Sequence, residues 1–196
     1  MQADLQALRQ LAALSVRDPR SAARWLMAQD IPAAARWMLL GLVSVASTIM
    51  LNLEIRADGA ELGQVFGAMV ERPILAAVLQ AAALLLMVAA VHRVGLIFGG
   101  RGTFADTMLL VGWIQLLLVA VSVVQVVLLV AFPLLSGLVG LAAMALFLWL
   151  FVNFVAELHG FDSIAKVALG SAITLILAGF LLSLLLAPLM PAPMGV

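Results

Sequence analysis

The chain has 196 residues, of which 66% are hydrophobic and 10% charged, against roughly 45–50% and about 25% in soluble domains. A water-soluble core cannot absorb that excess, because surface area sets a minimum polar fraction, so a soluble globular protein is excluded. The net charge of zero gives no bulk attraction to nucleic acid, and the absence of cysteine removes disulfides, thiolate metal ligands and a thiol nucleophile.

Residues 1–32 come first and differ from the rest. Leu5, Leu8, Leu11, Ala12 and Val16 fall close to one helical face, with Asp4, Gln6, Arg9, Gln10 and Arg17 elsewhere. Asp18 has the character of an N-cap, with Pro19 at the first position of a short helix through Trp25 and Met27. Arg20, Arg24 and Arg36 with Trp25 and Trp37 form the basic-aromatic mixture that suits a headgroup layer. One or two helices are therefore expected on the cytoplasmic face, with burial against the membrane bundle as the alternative. The opening is too polar for a cleaved signal peptide, so the first apolar span is expected to act as the insertion signal.

Five apolar stretches follow: about Ala34 to Leu53, Ile74 to Val91, Met108 to Phe132, Leu134 to Ala156, and Val167 to Ala187. Each can cross a bilayer as a helix of about 20 residues, which satisfies its own backbone hydrogen bonds. Pro133 and Gly137 break what would otherwise be an apolar run too long for any membrane, giving a tight hairpin. The expected fold is all-α and polytopic. It comprises an amphipathic cytoplasmic segment (1–32), a five-helix transmembrane domain (33–188) and a short non-cytoplasmic tail (189–196).

Orientation follows from the basic residues. With the N-terminus inside, the cytoplasmic segments hold Arg9, Arg17, Arg20, Arg24, Arg36, Arg93, Arg101 and Lys166, and the opposite side only Arg56 and Arg72. Arginine greatly outnumbers lysine and alanine is abundant, a bias associated with GC-rich genomes and hence a bacterial inner membrane.

Chemistry-bearing residues gather at three places. Between the second and third spans, Gly99, Gly100 and Gly102 permit a tight reversal, and Thr103 can cap a helix starting at Phe104, with Asp106 near its positive end. A glycine-rich, basic turn also contains the raw materials of a phosphate site, yet no Gly-Lys-Ser/Thr signature or preceding strand accompanies it. A structural turn is expected, with lipid-phosphate contact by His92, Arg93 and Arg101 as the alternative. Inside the spans lie Gln80, Gln115, Ser122, Gln125 and Asn153, which hydrocarbon penalises unless they find partners. Between the fourth and fifth spans lie Glu157, His159, Asp162 and Lys166, with no HExxH spacing. No metal or cofactor is expected from them. Small residues recur at four-residue spacing in Ser44 and Thr48, Gly95 and Gly99, and Gly170, Thr174 and Ala178, faces that let helices approach closely.

Two segments carry a family resemblance. FGGRGTFADTMLLVGWIQ, Phe98 to Gln115, is similar to the glycine-rich turn and Gly-aromatic pair of the Yip domain family of Ypt/Rab-interacting membrane proteins; the pair here is Gly112-Trp113. HGFDSIAKVALGSAI, His159 to Ile173, is similar to that family's last cytoplasmic loop and final helix, and Asp18-Pro19-Arg20 resembles the pre-span motif of its bacterial members. The proline that often follows the Gly-aromatic pair is absent. The long N-terminal region of eukaryotic members has no counterpart, so their GTPase role does not carry over. The resemblance implies a non-enzymatic protein that organises membranes or binds a membrane-protein partner or its own copies, in contact with the bilayer and not with nucleic acid. A lipid- or small-molecule-handling protein is the alternative, motivated by the intramembrane polar residues. An intramembrane enzyme using His92 or His159 is the third. Contact with headgroups or a partner is expected from Arg20, Arg24, Trp25, Arg36, His92, Arg93, Arg101 and Lys166.

Overall fold

The computed structural model describes residues 2–58 and 71–186. The tail 189–196 lies outside them. Seven helices occur among the described residues: α1 (Gln2–Arg17), α2 (Pro19–Met27), α3 (Ala33–Asp58), α4 (Pro73–Ile97), α5 (Phe104–Ala131), α6 (Pro133–His159) and α7 (Ile164–Leu186). The last five are long and apolar enough to cross a membrane. They outrun the apolar stretches at several ends, because hydropathy marks what hydrocarbon covers whereas the backbone ladder continues to the next stop signal. Those signals are legible. Proline opens α2, α4 and α6 at the first turn, where its missing N–H costs nothing. Thr103 Oγ1 accepts the Asp106 N–H at 3.1 Å at the start of α5, and Gly160 closes α6 at φ +71°.

The core lies toward the end of the bundle that carries α1 and α2. Every residue from Thr107 to Ile114 is buried, so about two turns of α5 are enclosed on all sides. Leu109, Leu110 and Trp113 meet Leu150, Phe151 and Phe154 of α6 and Leu11, Ala22, Ala23 and Leu26 of α1 and α2. Met108 and Val111 meet Leu40 and Val43 of α3 and Leu84 and Val88 of α4. Gly112 permits this closeness, since a Cβ there would lie 2.9 Å from Leu39 Cδ2. Farther along, Val127, Val130, Leu134, Leu138 and Leu141 of the α5–α6 hairpin are exposed, as befits side chains whose solvent is lipid.

The N-terminal segment has two faces. Leu11, Ser15, Ala22, Ala23 and Leu26 are buried against the bundle, so packing on the helix ends accounts for the inner face. Leu5, Leu8, Val16 and Trp25 remain exposed on the outer one. The α1–α2 junction is built locally. Asp18 accepts the Ser21 N–H at 3.1 Å and the Ser21 hydroxyl at 2.6 Å, and these bonds hold its carboxyl below the ordinary value of 3.8. A depressed carboxylate stabilises above its unfolded-state pKa and loses that contribution as pH falls through the folded one. Docking of α2 is therefore expected to loosen below about pH 4. Rising thiol reactivity of an Ala23→Cys reporter under acid titration measures this. Asp18→Asn should flatten the acid-dependent part of the curve, and an unchanged profile in that variant refutes the cap as its source.

Candidate functional site: a histidine in a glycine cradle

Two turns and a helix meet at the α1–α2 end: the α4–α5 turn, the α6–α7 turn and α2. His159, the last residue of α6, is 2% exposed and sits at their junction. Glycines surround its ring. A Cβ built at Gly95 or at Gly100 would overlap the imidazole, and one at Gly102 would lie 2.6 Å from Leu158 Cγ and 2.9 Å from His159 Cε1. Gly99 acts differently, its φ of +84° turning the chain out of α4. The glycines at 95, 100 and 102 thus provide room, and the one at 99 provides curvature.

Polar contacts fix the arrangement. The Gly102 N–H donates to His159 Nδ1 at 3.3 Å, and the Arg101 N–H donates to the His159 carbonyl at 3.3 Å. His92 Nδ1 lies 3.1 Å from the Gly102 carbonyl. A carbonyl can only accept, so His92 carries its proton on Nδ1. His159 accepts at Nδ1, so its proton resides on Nε2. Two histidines in opposite tautomers thereby clamp the two backbone polar groups of one glycine. Phe161 stacks on the His159 ring with centroids 5.5 Å apart. His159 Nε2 has no hydrogen-bond partner among the described residues.

Charged groups close the periphery. Arg24 pairs with Glu157 at 3.1 Å and Arg36 with Asp106 at 3.5 Å. Arg20 donates to the Phe161 carbonyl at 3.4 Å, tying α2 to the α6–α7 turn. The Arg24–Glu157 pair has a well-exposed arginine, and such pairs contribute about 1 kcal/mol or less. They set orientation more than stability.

The residues singled out in the sequence separate accordingly. Arg20, Arg24, Arg36 and His92 are engaged within the chain, whereas Trp25, Arg93, Arg101 and Lys166 have exposed side chains. Gln115 Nε2 donates to Ser47 Oγ at 2.8 Å, joining α5 to α3. Asn153 bonds back to the Trp149 carbonyl of its own helix at 2.8 Å. Gln125 lies against Gly140 on the facing helix of the α5–α6 hairpin, while Gln80 and Ser122 are half-buried. Gln115 and Ser122 thus share the interface with α3, where Ser122 faces Glu54, while Gln80, Gln125 and Asn153 lie elsewhere. Among the described residues, no three histidine or acidic side chains come together as a metal site would require; Glu157 faces Arg24 and His159 is enclosed by glycines.

Sequence reasoning gave two further residues no structural role, although Trp113 belongs to the Gly-aromatic pair and Phe161 lies in the His-Gly segment. Trp113 reaches across the bundle, donating from Nε1 to Ser15 Oγ at 2.9 Å while that hydroxyl donates to the Leu11 carbonyl at 2.8 Å. Phe161 is the other, a ring lid on His159. The available signal was the pairing of a Gly-Gly-x-Gly turn with a distant His-Gly step, since crowded glycines imply a bulky neighbour.

A bundle of five apolar helices, capped at one end by two short helices and locked by a histidine among glycines, defines an integral membrane protein. The family model for the Yip1 domain matches residues 13–185, from within α1 to the end of α7. The chain belongs to that family. No curated protein and no solved structure matches it.

Proposed function

We propose that this protein is a non-enzymatic interaction or membrane-organising component of a bacterial inner membrane, with its α1–α2 end in the cytoplasm. One observation carries the reading. His92, His159, Glu157 and Asp106 are engaged in holding the α1–α2 end together, while that end turns outward a surface of Arg9, Arg17, Trp25, Arg93 and Arg101, all exposed. Arginine and tryptophan are the residue types that anchor protein interfaces and headgroup contacts. The basic asymmetry between the two ends supports the cytoplasmic assignment.

Photocrosslinking residues placed at Trp25 and Arg101 in living cells test the proposal. Both positions are expected to trap the same membrane-protein partner or a second copy, whereas the lipid-facing position Ile176 traps neither. Absence of a protein adduct from both α1–α2-end positions, with a strictly monomeric protein, overturns the reading.

A further inference from the structure

A groove of about 530 Å³ opens between α4, α6 and α7, within the roughly 300–1,000 Å³ of small-molecule sites. Its walls are apolar, with Val94 and Gly95 from α4, Val155 from α6, and Val167 and Ile173 from α7. Its polar lining comes from Asp162 and Ser163 of the α6–α7 turn and Lys166 in the first turn of α7, which form the mouth.

One side chain in this groove lacks what all its counterparts have. The buried hydroxyls of Ser15, Ser44, Thr48, Thr107 and Thr174 each donate to the carbonyl four residues earlier, and that of Ser136 donates to the Gln125 carbonyl. Ser171, 5% exposed and lining the groove, has a hydroxyl with no partner among the described residues. Away from water, a helical serine ordinarily turns back to the carbonyl four residues earlier. One that does not, in hydrocarbon where an orphan donor is costly, is placed for an acceptor that enters from outside.

We propose that the groove holds one acyl chain of a glycerophospholipid, with the lipid phosphate beside Lys166 and an ester carbonyl accepting from Ser171 Oγ. The spacing fits. Ser171 lies five residues beyond Lys166, about 7.5 Å along the helix axis and about 140° around it, yet both line the groove, so a cation at the mouth and a hydrogen-bond donor one level deeper face the same space, as a phosphate and its ester require. Ser163 Oγ accepts the Lys166 N–H at 3.4 Å, and the remaining N–H groups at the start of α7 add to the positive side of the mouth. Asp162 shares that mouth and offsets the lysine charge, which suits a zwitterionic headgroup with its ammonium toward the aspartate. The walls are apolar over the stretch where the chain would lie. This resident lipid is separate from the partner-binding surface, and neither proposal depends on the other.

The test uses the whole protein in nanodiscs of phosphatidylethanolamine and phosphatidylglycerol, doped with phosphatidylethanolamine bearing a diazirine in its acyl chain. Photolabelling is expected to favour groove peptides of α4 and α7 several-fold over the lipid-facing α3 peptide containing Leu42 and Val45, which reports ordinary surrounding lipid. No heavy atom lies within 4 Å of a Cβ built at Gly170, which also lines the groove. Gly170→Phe is thus expected to fill it, cutting groove labelling several-fold and leaving α3 labelling unchanged. Ser171→Ala should lower the fraction of protein that retains one phospholipid in native mass spectrometry, and it gives a second readout if the phenylalanine variant does not fold. Equal labelling of groove and α3 in the unaltered protein overturns the proposal. So do labelling or retention unaffected by the substitutions, and a groove that crosslinks to protein instead of lipid.

Discussion

Gly95→Ala is expected to destabilise the protein by about 3 kcal/mol, the upper part of the overpacking range, although it adds a single methyl group to a helix and would ordinarily favour it. The reason is the His159 ring, which the new Cβ would overlap. The ring cannot step aside. Gly100 and Gly102 hem it in on other sides, Phe161 stacks on it, and its Nδ1 accepts the Gly102 N–H. Thermal melting in detergent should show a lowered midpoint and a reduced monodisperse fraction. The decisive measurement is a double-mutant cycle. His159→Ala alone should also destabilise, by leaving a void and an unpaired Gly102 N–H. In that background, however, Gly95→Ala should cost almost nothing. Additive losses in the double variant would show that glycine at 95 serves backbone freedom or some other neighbour.

Trp113→Ala is expected to release α1 and α2 from the bundle as well as to unfill its core. Truncating a buried tryptophan costs about 3–5 kcal/mol. Here the indole also holds Ser15 Oγ at 2.9 Å, a hydroxyl with no exposure to solvent. Trp113→Phe should keep much of the packing and lose the hydrogen bond, at about 1 kcal/mol for the bond plus a smaller void. The chain has no cysteine, so one introduced at Ala23, fully buried on the inner face of α2, reports undocking without background. Maleimide labelling of that thiol should rise steeply in Trp113→Ala and modestly in Trp113→Phe. Equal protection in all three proteins would mean that the Arg20 and Arg24 contacts alone suffice to hold α2.

The membrane spans were legible because lipid imposes a length and a composition that chance does not supply. The local caps were legible too, since Asp18 and Thr103 act through neighbours three residues away. What connects elements was harder to read. Nothing local to His159 distinguishes a polar residue at a membrane boundary from a ring packed among three glycines 57 to 64 positions upstream. Likewise the small residues Gly95 and Gly99 share a four-residue spacing, yet one makes room for a side chain and the other bends the backbone. The N-terminal helices had an amphipathic pattern compatible with either lipid or protein beneath them. Only tertiary contacts separate the two, and Trp113, 98 residues from Ser15, is invisible to periodicity. The resemblance to a family paired the glycine turn with the His-Gly segment without indicating that they touch.

The glycine cradle also imposes an order of events during synthesis. Gly95, Gly100 and Gly102 leave the ribosome well before His159 exists, so the α3–α4 pair enters the bilayer with its cradle empty and its turn unanchored. The α1–α2 segment, made first of all, waits for α5 and then for the Leu150–Phe154 stretch of α6 before its buried face has anything to bury against. The contacts that close the cradle, from the Gly95 packing to the Gly102 hydrogen bond, can therefore form only after α6 has been made.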